Sequence, residues 1–433
     1  MIRWTGPALA VVLAAALPAQ GPRERQSFQT AGLNCVLVET HERPLIRVEL
    51  VTRWDRGELP AGKEGIAGFL VEAIEAGGAG AYNRAAFSRA LDALGMTFSF
   101  KARMGVFRWT MVADSRSQET AMELLADAVV RPAFDGPLVE NERKELLRQA
   151  GAQTPRERGI ALFLWSLGDP AAMTVPGAQG FDRIEFQDLI DFRRRVIRPE
   201  SSTLLLYGDL NLSQAKQLVL MHLGIWGPSA QAPVKGIPAK AAAKAVPDPC
   251  LMAVFDPAPG AELWAGAPRP RTSEPAVEAL LPILLARASR SLFGTFEMAF
   301  QLPPEGHSPL LIKAKVPLAD RDALVSGFTA ALAGLRRNGF SQEDLACALI
   351  QWKAENSALA LHPEAMLREL ADGRLEPELA RAVDQVTLAR VDQVLRDWLD
   401  PERVRFLLLG ADTPMLQAAE QAGLKPSALV GSE

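Results

Sequence analysis

The stretch Gly65–Glu75 reads G-I-A-G-F-L-V-E-A-I-E. Ile66, Phe69, Leu70 and Ile74 recur at helical spacing, so the segment is a helix that buries one face. Around it the chain alternates between short strands and helices. Gln26–Glu39 forms two strands about the turn Ala31-Gly32, and Ile46–Thr52 forms a third. A helix over Arg84–Leu94 ends at Gly95. Met96–Arg103 and Val106–Ala113 alternate strictly about Met104-Gly105, which predicts a hairpin. Helices are expected over Gln118–Val130, stopped before Pro132, and over Pro137–Gln149, capped by Asp135. Thr154–Phe181, with Gly and Pro at intervals, reads as irregular. Helix Glu185–Val196, strand Thr203–Tyr207 and helix Leu212–His222 follow.

Gly227–Pro249 changes character, being rich in Pro, Ala and Lys with no apolar period, and reads as a linker. Beyond it lie strand Leu251–Phe255, helix Pro275–Ser291, strand Leu310–Val316, and helices over Arg321–Leu335, Gln342–Ala358 and Pro363–Ala371. The second half repeats the first. Pro199–Gly208 and Pro401–Gly410 have the same length, and Ile184, Leu189, Phe192 and Val196 fall opposite Val386, Val391, Val394 and Trp398. In both copies an amphipathic helix stops at a proline, which cannot continue the hydrogen-bond ladder. Val129–Phe134 and Leu335–Phe340 also share a helix, a break and a Phe. Two coincidences in the same order indicate an internal duplication.

The chain has 433 residues, 48% hydrophobic and 23% charged, with a net charge of −4. This is a globular composition with a sizeable core. The small net charge and the absence of a dense basic run argue against nucleic acid or anionic membrane as partners. Met1–Gln20 has Arg3, the apolar run Pro7–Leu17 and a small residue at Ala19, the pattern of an export signal; an uncleaved anchor is the alternative. Residues 1–20 as signal, 24–226 and 250–426 as two related domains, and 227–249 as linker are the expected divisions. Cys35, Cys250 and Cys347 show neither metal nor redox spacing, and Cys35 and Cys347 read as buried thiols.

The order and spacing of these elements, from Gly32-Leu33-Asn34 to Gly410, resemble the insulinase/pitrilysin (M16) family of zinc peptidases. L-D-A-L-G-M-T-F-S-F, L-L-A-D-A-V-V-R-P-A-F and the paired P…L-L-L-G segments are similar to family passages. The resemblance implies an α+β fold of two duplicated domains, each a mostly antiparallel sheet with helices on one face. In active members the helix at Gly65–Glu75 carries His-x-x-Glu-His, whose His residues bind zinc with a downstream Glu while the motif Glu is general base. Here those positions are Gly68, Val71 and Glu72, and the downstream ligand position is Gln149, counted from Glu142-Arg143. Only lone-pair donors serve as ligands, so neither zinc nor another cofactor is expected. Bacterial members of this size work as pairs whose zinc-less chain supplies an Arg and a Tyr to substrate. In S-R-S-L-F-G-T-F-E-M-A-F the Arg position is lost, with Arg290 the nearest candidate, and Phe300 stands where Tyr is expected.

Glu72 and Glu75, with Glu142 and Glu145, have the spacing of a carboxylate cluster for a hard cation, or of solvated helix faces. His41, His222, His307 and His362 form no ligand pair. The resemblance therefore implies a pseudoenzyme: an exported, periplasmic, non-catalytic subunit that pairs with a zinc-bearing relative and helps form its peptide chamber. A scaffold without a peptidase partner, and an active hydrolase with relocated ligands, are the other readings.

Overall fold

The computed structural model describes residues 25–54, 58–63, 65–103, 105–167, 180–227, 251–256, 260–268, 274–292, 297–301, 310–317, 322–359, 366 and 377–431. The expected signal at 1–20, nearly all of the expected linker, Cys250, His307 and His362 lie outside them, as does the expected helix 363–371 apart from Met366.

Two six-stranded sheets form the framework. The first takes β1 (Arg25–Thr30), β2 (Leu33–Glu39), β3 (Leu45–Arg53), β4 (Thr97–Arg103), β5 (Val106–Asp114) and β6 (Ser202–Gly208), in the order β1-β2-β6-β3-β5-β4. The second takes β7 (Leu251–Val254), β8 (Gly260–Ala267), β9 (Glu297–Gln301), β10 (Leu310–Pro317), β11 (Arg405–Leu409) and β12 (Pro426–Val430), in the order β12-β7-β11-β8-β10-β9. Five strands correspond one to one. In each sheet the second and third strands, β2/β6 or β7/β11, pair parallel and the three pairings beyond them are antiparallel. The sixth strand breaks the symmetry: β1 precedes its sheet and pairs antiparallel, whereas β12 follows its sheet and pairs parallel.

Helices of the first half are α1 (Ile66–Gly77), α2 (Arg84–Ala93), α3 (Gln118–Val130), α4 (Gly136–Gly151), α5 (Pro155–Ser166), α6 (Phe186–Val196) and α7 (Leu212–Leu223). Those of the second half are α8 (Pro275–Leu292), α9 (Asp322–Asn338), α10 (Gln342–Leu359), α11 (Pro377–Asp384), α12 (Leu388–Trp398) and α13 (Thr413–Gln421). A shift of 202 residues carries α6 onto α12 from end to end, 186 to 388 and 196 to 398. Alternation sorts the strand residues. Ile46, Val48 and Leu50 of β3 join α1, α3, α6 and α7 in one core, and Leu251, Ala253, Leu263 and Leu408 join α8, α9 and α12 in the other. Asp135 caps α4 as expected, accepting from the Leu138 N–H; Asn83 caps α2 by accepting from Ala86, and Asn211 caps α7 by accepting from Gln214.

The reading of Thr154–Phe181 as irregular is corrected by α5. Pro155 fills the first helical position, and Thr154 and Glu157 close a reciprocal cap, with Thr154 N–H donating to Glu157 at 2.9 Å and Glu157 N–H to Thr154 Oγ1 at 3.2 Å. Its apolar residues follow no clean stripe because the helix covers the second sheet on the face away from that sheet's own helices. Phe163 and Leu167 pack with Met252, Val254, Trp264, Leu407 and Leu409. Two glycines make the approach close. A Cβ on Gly159 would sit 2.2 Å from Val254 Cγ2, and one on Gly266 would sit 2.4 Å from Leu167 Cδ1. Arg156 donates to Asp256 at 3.0 Å and to Glu262 at 2.6 Å, and Arg405 donates to the Ser166 carbonyl. The exchange is mutual: Met366 of the second half packs with Val38, Val51, Val106 and Leu205 on the outer face of the first sheet.

Strands β8, β9 and β12 and helix α11 add to the elements read from sequence. Cys35 is buried, which pushes its thiol up to about 12, whereas Cys347 is only half-buried, against the expectation for it.

Candidate functional site

Helix α1 begins at Gly65 without a side-chain cap, so packing positions it. Ile66, Phe69, Leu70, Ala73 and Ile74 are buried, and Val71 is turned inward with 8% of its surface exposed. Gly68, Glu72 and Glu75 form the open stripe, as spacings of four and three on one helix require. The two positions that the sequence resemblance sets opposite His, Gly68 and Glu72, therefore share the accessible face, while Val71, set opposite the motif Glu, faces the core.

Helix α4 runs antiparallel beside α1. A Cβ on Gly77 at the end of α1 would clash with the Ala133 carbonyl just before α4, and the Arg143 guanidinium lies 5.0 Å from the centre of the Phe69 ring. Arg143 also donates to the Phe181 carbonyl and to Glu140 at 2.8 Å. Its role is to join α1, α4 and the segment before α6. Gln149 lies two turns beyond Glu142, toward the Gly68 end of α1; it is exposed and donates to Glu145 Oε1 at 2.8 Å.

The four glutamates do not act as one group. Arg148, at 2.5 Å, and Gln149 hold the exposed Glu145 carboxyl at about 2. Glu72, Glu75 and Glu142 couple instead. Burial, followed by the charges of Glu75 and Glu142, raises Glu72 above the usual carboxylate range. Burial also raises Glu75, against the opposing pull of Arg84 and a hydrogen bond from the Phe100 backbone N–H. Phe100 belongs to β4, the outer strand of the first sheet, so the stripe of α1 borders an edge with which no other strand pairs among the described residues.

As a zinc site the donor set does not fit. Gly68 offers no side-chain atom, Gln149 only a neutral amide oxygen, and Val71 no base, which leaves Glu72 as the single carboxylate among these positions. Among the described residues no group of three or more His, Cys, Asp or Glu is arranged to hold a metal ion. His41 is exposed between Glu39 at 2.9 Å and Asp209 at 2.6 Å, and those two hydrogen bonds raise its pKa. His222 lies near the end of α7. Phe300 lies on β9 opposite Ile312 and Arg290 near the end of α8; their side chains lie outside the described set.

No known family profile matches the sequence, and no curated protein sequence matches it. Solved structures do match. A peptidase M16 inactive domain from Pseudomonas fluorescens is 19% identical over 90% of this chain and 98% of its own, with a TM-score of 0.71. A protease from Helicobacter pylori is 15% identical over 89% and 99%, with a TM-score of 0.70. The periplasmic protease PqqL from Escherichia coli is 13% identical over 95% of this chain, with a TM-score of 0.69, and this chain spans 49% of its length. The fold is that of the M16-like peptidases. At these identities the likeness is one of fold. Among the described residues no helix is long and apolar enough to cross a membrane.

Proposed function

We propose that this chain is a non-catalytic M16-like subunit, exported to the periplasm, that pairs with a zinc-bearing relative and contributes one wall of its peptide chamber. The observation that carries the proposal is the open stripe of α1. On the helix that the resemblance sets opposite the His-x-x-Glu-His motif, the accessible face presents Gly68 and Glu72, and Val71 lies in the core. Hydrolysis at such a site needs a ligand set and a general base, and neither is provided there. The length relation to PqqL supports pairing, because that chain leaves about as much again beyond the part matched here. PqqL is periplasmic, in keeping with the export signal read at Met1–Gln20.

An extended peptide has a place to bind. The outer edge of β4, unpaired among the described residues, offers backbone donors and acceptors for one more strand, and β-augmentation draws its affinity from such main-chain hydrogen bonds. Glu75, which takes the Phe100 N–H, is the group such a peptide displaces.

The test is a pull-down of the tagged chain from its source, with zinc content and peptidase activity of the purified chain measured alongside. A co-purifying M16 relative with an intact motif, and a bait with neither zinc nor cleavage, is the expected result. Stoichiometric zinc with peptide cleavage by the chain alone overturns the proposal. Capture without any such relative favours a scaffold role.

A further inference from the structure

The duplication builds the same crevice twice and fills it once. In the first half it lies between the end of α3, the end of α6 and Pro199, lined by Val130, Arg194, Ile197 and Trp226, with about 210 Å³ left open. In the second half the shift of 202 residues turns Arg194, Ile197 and Pro199 into Arg396, Leu399 and Pro401. All three line a cavity of about 680 Å³. Two replacements explain the difference. Arg193, whose Nη2 donates to the Val129 and Val130 carbonyls at 2.5 and 2.6 Å, becomes the buried Leu395. The nearly buried Trp226, three residues beyond the end of α7, is replaced by the equally buried but smaller Leu424, three residues beyond the end of α13.

The floor of the larger crevice is apolar, formed by Leu332, Leu399, Val404, Phe406 and Leu424. Its rim carries Arg336, Arg337 and Arg396. Among the described residues no carboxylate pairs with any of the three, and Arg336 Nε is buried without a hydrogen-bond partner. Arg336 and Arg337 lie in the last turn of α9, where cations favour the helix dipole. That accounts for neither Arg396, on a different helix, nor the buried guanidinium nitrogen, nor the space that Leu424 leaves where the indole stands in the first half.

We propose that this crevice binds a small apolar acid, its aliphatic or aromatic body occupying the place that Trp226 fills in the first half and its anionic head among Arg336, Arg337 and Arg396. Guanidinium groups suit planar anions because they offer several donors in a fixed fork. The volume falls in the range of small-molecule pockets. The inference is independent of the partner-subunit reading, since the crevice lies on the helical side of the second sheet.

The test is calorimetric titration of the full chain with decanoate and with 2-naphthoate, against decanol and 2-naphthol as uncharged counterparts. One site per chain, with a Kd below about 100 µM for at least one acid and at least about tenfold weaker binding of its alcohol, is the expected result. Arg336→Gln, Arg337→Gln and Arg396→Gln together weaken the acid by at least about tenfold, and Leu424→Trp, which restores the indole at the position equivalent to Trp226, abolishes its binding by refilling the crevice. Arg337 and Arg396 are exposed, so their double replacement reads the same charge effect if the triple variant folds poorly. Whichever acid binds more tightly assigns the body as aliphatic or aromatic. No saturable heat with either acid, equal affinity for acid and alcohol, or variants that bind as the natural chain does overturns the proposal.

Discussion

The contact between Gly159 and Val254 offers a quantitative test of how the two halves are joined. Gly159 is inside α5, where alanine is the better helix former by about 0.8–1 kcal/mol. By propensity alone Gly159→Ala stabilises. The structure reverses the sign, because the new methyl lands 2.2 Å from Cγ2 of a fully buried, β-branched side chain in a sheet. Overpacking of this kind costs about 1–3 kcal/mol, so the expected net effect is a loss of up to about 2 kcal/mol. Val254→Ala removes two buried methyl groups and costs about 2–3 kcal/mol by transfer and cavity terms. In the double variant the clash is gone and the methyl added on α5 occupies part of the space vacated. The pair is therefore expected to be at least about 1 kcal/mol more stable than additivity gives, where unconnected sites add within about 0.3–0.5 kcal/mol. Urea unfolding of the four chains, followed by far-ultraviolet dichroism and by tryptophan fluorescence, measures the cycle. An additive result, or a stabilising Gly159→Ala, refutes the packing of α5 against β7.

Other perturbations read other parts of the molecule. Glu72 has a folded pKa above its ordinary 4.5, so in that window the folded chain holds more protons than the unfolded one, and stability falls as pH rises. Glu72→Gln removes the fall, and the gap between variant and natural melting temperatures is expected to widen from pH 4.5 to about pH 7; a constant gap refutes the coupling. Gly68→His, Glu72→His and Gln149→Glu together supply three ligands, and equilibrium dialysis at about 1 µM zinc is expected to show one ion per chain, against none for the natural chain. Arg156→Met leaves Asp256 and Glu262 without their shared cation and is expected to cost about 2–3 kcal/mol in urea unfolding, whereas Arg148→Ala on the exposed face of α4 leaves the midpoint unchanged. Glu49 on β3, 2% exposed between Arg47 at 2.8 Å and Arg108 at 2.5 Å, anchors two guanidinium groups, and Glu49→Ala is expected to cost about 3 kcal/mol by the same measurement.

What can be read in advance follows the physics of each segment. Helices with one buried face, such as α1, α6 and α12, announce themselves through their period, and the duplication is legible because α6 and α12 end at equivalent prolines. Helix α5 escapes such a reading because its surroundings are apolar on the side facing the second sheet and its spacing is broken by Gly159, a residue set by the partner strand. Its start is nevertheless written in the sequence: Thr154-Pro155-Arg156-Glu157 is a capping box with Pro at the first helical position. Strand β8, buried except at Glu262, lacks alternation, since glycine and alanine fill positions where its neighbours press close. At the candidate site, spacing places Gly68, Glu72 and Glu75 on one face. It does not separate Glu145, held by Arg148 and Gln149, from the three glutamates that repel one another.

The exchange of α5 for the segment at Met366 bears on how the chain is made and broken. A ribosome that has released only the first half exposes Ile160, Phe163 and Leu167, because the strands they pack on belong to residues not yet translated. Completion of the second sheet is thus the event that retires this surface, and until then it is a target for holding factors. The same geometry works in reverse. A protease that cuts between residues 228 and 250 severs the backbone but not the embrace, so the two fragments are expected to travel together through a sizing column until denaturant pries α5 away.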